Sequence, residues 1–61
     1  MNTKFILFNL REAQEELNST LKDLETNHEY AEPELSIALM HLYHHLNTAW
    51  NARGLHSSGG N

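Results

Sequence analysis

The residues best suited to chemistry in this sequence are three histidines in its second half, His41, His44 and His45. His41 and His45 are four residues apart, so on a helix they lie one turn apart on the same face. Two imidazoles at this spacing can bind a metal ion such as zinc. If the chain folds back on itself, Glu15 or Glu16 could add an oxygen ligand. His41 and His45 are therefore the candidate metal ligands.

The rest of the sequence does not add the motifs that would strengthen a catalytic or metal-binding function. The chain has no cysteine, and no His-Glu-x-x-His motif occurs. It also lacks a glycine-rich phosphate loop and a serine in a nucleophile turn. We therefore expect no catalytic residue, no cofactor and no enzymatic activity. We favour histidines that face solvent or an interface and make ordinary hydrogen bonds.

The charge distribution indicates which partners the chain can bind. Eight carboxylates against four Lys and Arg give a net charge of −4, and all eight acids lie between Glu12 and Glu34. This charge opposes the phosphate attraction on which nucleic-acid binding relies. The longest apolar runs, among them Phe5 to Phe8, have four residues, far fewer than the ~20 of a membrane span. We expect a cytoplasmic protein that binds neither nucleic acid nor membrane.

Apolar and small residues recur at intervals of three and four positions in both halves, which predicts two amphipathic helices at about 3–26 and 33–53. The stripe of the first helix comprises Ile6, Leu7, Leu10, Ala13, Leu17, Thr20, Leu21 and Leu24. The stripe of the second comprises Leu35, Leu39, Leu42, Leu46, Ala49 and Trp50.

The helix starts have recognisable capping patterns. Asn2 or Thr3 could cap the first helix, whereas Asn9 with Glu12 forms a rival capping-box pattern. The early start is favoured because it keeps the apolar residues before Asn9 in phase with the stripe. Pro33 suits the first position of the second helix, since its missing N–H costs nothing there.

The helix ends are predicted from residues that tolerate left-handed backbone. Asn27 is the expected end of the first helix. Gly54 is expected to end the second in a Schellman-type motif, with Leu55 packed against Trp50. Residues 56–61 are small or polar and lack periodicity, so they are predicted to form a flexible tail.

Two long helices with a short connection predict an antiparallel hairpin over residues 1–55. One seam between two helices does not offset an ordering entropy of roughly 1.5 kcal/mol per residue, so a second surface must be covered. Ile37 and Met40 lie off the stripe of the second helix, and Phe5 and Phe8 lie off that of the first. We expect a homodimer that forms a four-helix bundle. Its predicted interface residues are Leu17, Ile37, Met40, Leu42, Leu46 and Trp50, with the three leucines at its centre.

A helical hairpin of this length that dimerises into a four-helix bundle resembles the Rop family of plasmid copy-number regulators. The resemblance is architectural, covers the hairpin and includes no motif. It implies RNA binding as one function. An RNA-binding face should offer Lys and Arg, however, and the outer face of the first helix carries Glu12, Glu15, Glu16 and Asp23.

Our leading hypothesis is a non-enzymatic oligomeric bundle that acts in protein–protein interaction or regulation. Its expected partners are a second copy of the chain and another protein. The alternatives are a Rop-like RNA-binding bundle and a histidine-mediated metal-binding bundle.

Overall fold

A computed structural model of the protein describes residues 1–54. It contains helix α1, Thr3–Thr26, helix α2, Glu32–Asn51, and a short 3₁₀ helix, Ala52–Gly54. The two long helices pack against each other as a hairpin. The predicted all-helical hairpin is therefore confirmed. The predicted tail and the predicted contact of Leu55 lie outside the described residues.

Helix α1 begins at the earlier of the two predicted starts. The side-chain oxygen of Asn2 accepts a hydrogen bond from the Phe5 N–H at 3.2 Å, so it satisfies a donor that the first turn leaves free. Asn9 does not act as a cap. Its amide nitrogen donates instead to the Phe5 carbonyl at 3.0 Å, within the helix.

Helix α1 ends at Thr26 with Asn27 as its C-cap, so the predicted stop is confirmed, but the left-handed conformation expected of Asn27 is wrong. Asn27 is extended, with φ −109° and ψ 103°, and its N–H still reaches the Asp23 carbonyl at 2.8 Å. Its side-chain oxygen accepts from the Glu29 N–H at 2.9 Å, and its carbonyl accepts from the Tyr30 N–H at 3.1 Å. These bonds turn the chain toward α2, so no residue needs a positive φ.

Helix α2 begins one residue before the predicted position. Ala31 has extended backbone and precedes the first turn, and its carbonyl accepts from the Leu35 N–H at 3.1 Å. The Glu34 carboxylate accepts from the Ala31 N–H at 3.2 Å, which is half of a capping box. Glu32 and Glu34 also place negative charge at the positive end of the helix dipole.

The predicted Schellman ending at Gly54 is also wrong, since no residue of 1–54 has a positive φ. The helix tightens after Asn51 into the 3₁₀ turn, where the Ala52 N–H bonds to the Thr48 carbonyl. The Arg53 guanidinium donates to the Trp50 carbonyl at 2.8 Å. The Arg53 side chain therefore satisfies a terminal helix carbonyl, which in a left-handed cap would accept a backbone N–H instead.

Small and polar residues form the seam between the helices, and three of them, Ala13, Thr20 and Ala49, belong to the predicted stripes. The buried residues of 1–54 are Asn9, Ala13, Thr20, Ala38, Ala49 and Ala52. Side chains this short let two helices approach closely. Most of the leucines are displaced to one side of the seam and stay about half exposed.

Three contacts between the helices fix their register. The Asn2 N–H lies 3.4 Å from the Ala52 carbonyl at one end. Further along, the His45 ring contacts the Asn9 side chain. Beyond that, the Glu16 carboxylate lies opposite His41. The partners run in opposite directions along the two helices, so the helices are antiparallel.

Candidate functional site

A row of large apolar side chains lies along one side of the hairpin, which we call the leucine face. It comprises Leu7, Leu10, Leu17, Leu21 and Leu24 of α1 and Leu39, Leu42, Tyr43, Leu46 and Trp50 of α2. Nine of these side chains are between 40% and 68% exposed, and Leu42 is half-buried. Single exposed apolar residues are ordinary, but a contiguous row along two helices is typical of an interaction surface.

A hollow of about 350 Å³ lies in the middle of the leucine face, above the small side chain of Ala13. Its walls include Leu10 and Leu17 of α1 and Leu42 and Leu46 of α2. Large side chains around a small one form the kind of hole that receives a side chain from a packing helix. The hollow is therefore shaped to receive an apolar side chain from outside the hairpin.

A second hollow, of about 300 Å³, lies at the end of the face where the chain begins and α2 ends. Ile6, Ala49 and Trp50 line it. The Arg53 guanidinium lies 3.7 Å from the centroid of the Trp50 ring, a cation–π contact. The tryptophan is nevertheless 63% exposed, so much of this large side chain is free to contact a partner.

The histidines lie on the hairpin rather than in a pocket, and each has a different neighbour. His41 Nδ1 lies 3.6 Å from a Glu16 carboxylate oxygen, and the His41 side chain is 63% exposed. A pair this exposed contributes little to stability. His45 Nδ1 lies 3.2 Å from the side-chain oxygen of the buried Asn9, and the His44 ring meets the His45 ring edge-on at 5.6 Å.

The buried Asn9 fixes the hydrogen-bonding role of His45. The Asn9 amide nitrogen donates to the Phe5 carbonyl, so the Asn9 oxygen is the atom that faces the imidazole. An amide oxygen only accepts, and His45 Nδ1 must therefore carry the proton. In a neutral His45 ring, the lone pair is then on Nε2.

The structure does not assemble a metal centre around the predicted ligands. Within residues 1–54, no group of three or more His, Asp or Glu side chains is arranged to hold a metal ion. Of the two glutamates considered as oxygen ligands, Glu16 is the one beside His41. Metal binding by His41 and His45 stays a prediction.

The predicted interface residues divide into two groups. Leu17, Leu42, Leu46 and Trp50 share the leucine face, whereas Ile37 and Met40, 57% and 65% exposed, lie outside it. Ile37 lines a groove that it shares with acidic side chains, among them Glu16, Asp23 and Glu34. The interface itself stays a prediction for both groups.

Sequence reasoning missed two kinds of residue at this site. Ala13 forms the floor of the central hollow, and its position in the leucine stripe was the signal for it. Leu10 and Leu39 were in the predicted stripes but not among the predicted interface residues. Tyr43, at the edge of the predicted stripe of α2, was not among the predicted interface residues either, although it borders Leu39 and Leu46 in a smaller hollow of the face.

Comparison with known proteins found no matching family model, no similar curated protein and no similar solved structure. In the part of the chain that the structure describes, neither long helix combines the length and apolar character of a membrane span.

Proposed function

We propose that this protein is a non-enzymatic helical-bundle protein that acts in protein–protein interaction or regulation, and that it works as a homodimer. The leucine face is its association surface. One observation carries the proposal: the hairpin closes on small residues and leaves a row of large apolar side chains about half exposed. Two such faces packed together would make a four-helix bundle.

The size of the leucine face supports a stable dimer. At roughly 80 Å² for each half-exposed leucine and more for the two aromatic residues, the face offers about 700 to 800 Å². A standard protein interface buries about 800 Å² per partner. The face is thus large enough for specific association.

The charges around the leucine face favour a second copy as the partner. An acidic chain repels its own copies if carboxylates meet at the interface. The two largest hollows of the face are lined by Arg11, Gln14 and Arg53 as polar residues, and by no carboxylate among the described residues. Two copies can therefore pack on this face without repulsion between carboxylates in these hollows.

A pair of glutamate variants tests the proposal. Leu46→Glu places a charge in the leucine face, where dimerisation would bury it, and should convert the dimer to a monomer. His44→Glu introduces the same charge two residues away, outside the face, and should leave the mass unchanged. Sedimentation velocity at matched concentrations measures both. A dimer that survives Leu46→Glu would contradict the proposal.

Salt dependence separates this function from the Rop-like alternative. Association through apolar helix faces should change little between ~50 and ~500 mM salt, because screening acts on exposed charges. RNA binding would weaken steeply over the same range. The cytoplasmic location and the identity of any other protein partner stay predictions.

A further inference from the structure

A groove of about 270 Å³ lies between the two helices and shares no residue with the leucine face. Its lining contains three carboxylates and no Lys or Arg among the described residues, so we call it the acidic groove. At 100° per residue, its side chains point more than about 90° away from those of the leucine face on both helices. The lining includes Glu16, Thr20 and Asp23 of α1 and Glu34 and Ile37 of α2.

The Thr20 hydroxyl distinguishes this groove from an ordinary solvated acidic surface. Thr20 is 6% exposed, yet it lines the groove. The hydroxyls of Thr26 and Thr48 each donate to the carbonyl four residues earlier, whereas no hydrogen bond within residues 1–54 involves the Thr20 hydroxyl. No side-chain oxygen of these residues is both unpartnered and fully shut off from solvent, so the Thr20 oxygen is reached from the groove. A nearly buried hydroxyl without a partner costs free energy, which a donor from a ligand would offset.

The composition of the lining indicates a cationic ligand with an apolar part. Three carboxylates attract a cation, and the Thr20 oxygen can accept a hydrogen bond from it. Ile37 is 57% exposed, so an apolar group of the ligand can cover it. A bare metal ion does not fit, since no three acidic or histidine side chains of residues 1–54 are arranged to hold one. A second copy does not fit either, because its net charge of −4 opposes the groove.

We propose that the acidic groove binds a basic segment of another protein, in which an arginine enters between the helices and an apolar neighbour covers Ile37. A guanidinium has five donors in one plane, which suits acceptors on two helices, such as Thr20, Asp23 and Glu34. Because the groove points away from the leucine face, a dimer formed through that face leaves one groove open on each copy. The inference adds a second partner to the proposed dimer and does not depend on dimerisation.

Nuclear magnetic resonance of the isotope-labelled chain tests the proposal, and sedimentation of the same samples reports their mass. The probe is a blocked pentapeptide with arginine at both ends, leucine in the middle and alanine between them. Titration with this peptide should shift the backbone amide signals of Thr20, Asp23 and Ile37, and it should leave Leu46 on the leucine face unchanged. A peptide with glutamate in place of both arginines should shift none of them, because its charge opposes the groove.

Two variants that each neutralise one carboxylate separate the groove from the general charge of the chain. Asp23→Asn removes a carboxylate of the groove and should raise the Kd of the arginine peptide about three- to fivefold, the range for one exposed charge pair. Glu25→Gln removes the same charge two positions away, outside the groove, and should change the Kd less than about twofold because salt screens it. Equal effects would mean general attraction to an acidic chain and would overturn the proposal.

Thr20→Val tests the contribution of the buried hydroxyl. Valine has a similar shape without the hydroxyl, so the variant should raise the Kd of the peptide about two- to tenfold, as the loss of one hydrogen bond does. The free energy of unfolding should stay the same or rise, because the hydroxyl has no partner to lose in the free protein. A lower free energy of unfolding would mean that the hydroxyl is bonded within the hairpin, which would overturn the proposal.

Each other result of the titration also decides a defined part of the proposal. Shifts at Leu46 in place of the groove residues would put the peptide on the leucine face and overturn it. Equal affinity for a peptide with serine in place of leucine would overturn the contact with Ile37. A dimer without peptide-induced shifts would overturn the groove and leave the proposed function intact. A monomeric mass with shifts in the groove would contradict the proposed dimer and support the groove.

Discussion

Replacing Leu17 with Ala should weaken self-association much more than it destabilises the hairpin. Leu17 is 45% exposed, so about half of its side chain remains for a partner to cover. Burying that half contributes roughly 1 kcal/mol per copy, and the cavity left by the substitution adds a comparable cost. Two copies per dimer give about 3 to 4 kcal/mol. The Kd for dimerisation should therefore rise about 100- to 1000-fold.

Phe8→Ala is the matched control for this variant. Phe8 is 56% exposed and nine positions from Leu17, which places it on the opposite side of α1 at 100° per residue. Sedimentation equilibrium over a wide concentration range measures both constants, with circular dichroism to verify helical content. A Kd within threefold of wild type for Leu17→Ala, or an equal rise for Phe8→Ala, would refute the assignment of the leucine face.

Three further predictions address other parts of the hairpin. Met40→Glu should alter association if the surface outside the leucine face packs in the oligomer, and unchanged mass would remove that second contact. Asn9→Ala should lower the free energy of unfolding by about 1 to 3 kcal/mol, because the neighbouring imidazole loses its acceptor. His45→Asn should lower it less, since an amide can still donate to Asn9. Equal losses in chemical unfolding would contradict the pairing. The fluorescence of Trp50 should shift to the red on dilution as the dimer dissociates, and a concentration-independent spectrum would speak against its burial.

The helices themselves could be predicted from the sequence because their signals are local. Asn2 lies where a cap is needed, and the Ile6 to Leu24 stripe has a single helical period. Pro33 and its flanking glutamates similarly predicted where α2 begins to within one residue. The helix ends were less predictable, since Asn27 and Gly54 can end a helix in several conformations. In the structure, the Asn27 side chain accepts a hydrogen bond that closes a turn, and the residue does not adopt a positive φ.

The packing of the hairpin could not be predicted from the period alone. A repeat of three and four residues includes both Ala13 and Leu17, and it does not say which of them faces α2. The structure puts Ala13 in the seam, because short side chains allow the helices to approach closely. Leu17 lies outside the seam, on the leucine face. Asn9 fits a rival capping pattern in the sequence, but in the structure it is a buried partner of His45, and only the register between the helices reveals this pairing.

The most direct test of the central claim is the solution mass of the wild-type chain as a function of concentration, with and without a divalent metal. We expect twice the 7.0 kDa of the single chain at micromolar concentration, with a melting midpoint that falls on dilution. Because the leucine face rather than a metal ion should drive association, a chelator should leave the mass unchanged. A mass of 7.0 kDa at every concentration, with a melting midpoint independent of dilution, would contradict it.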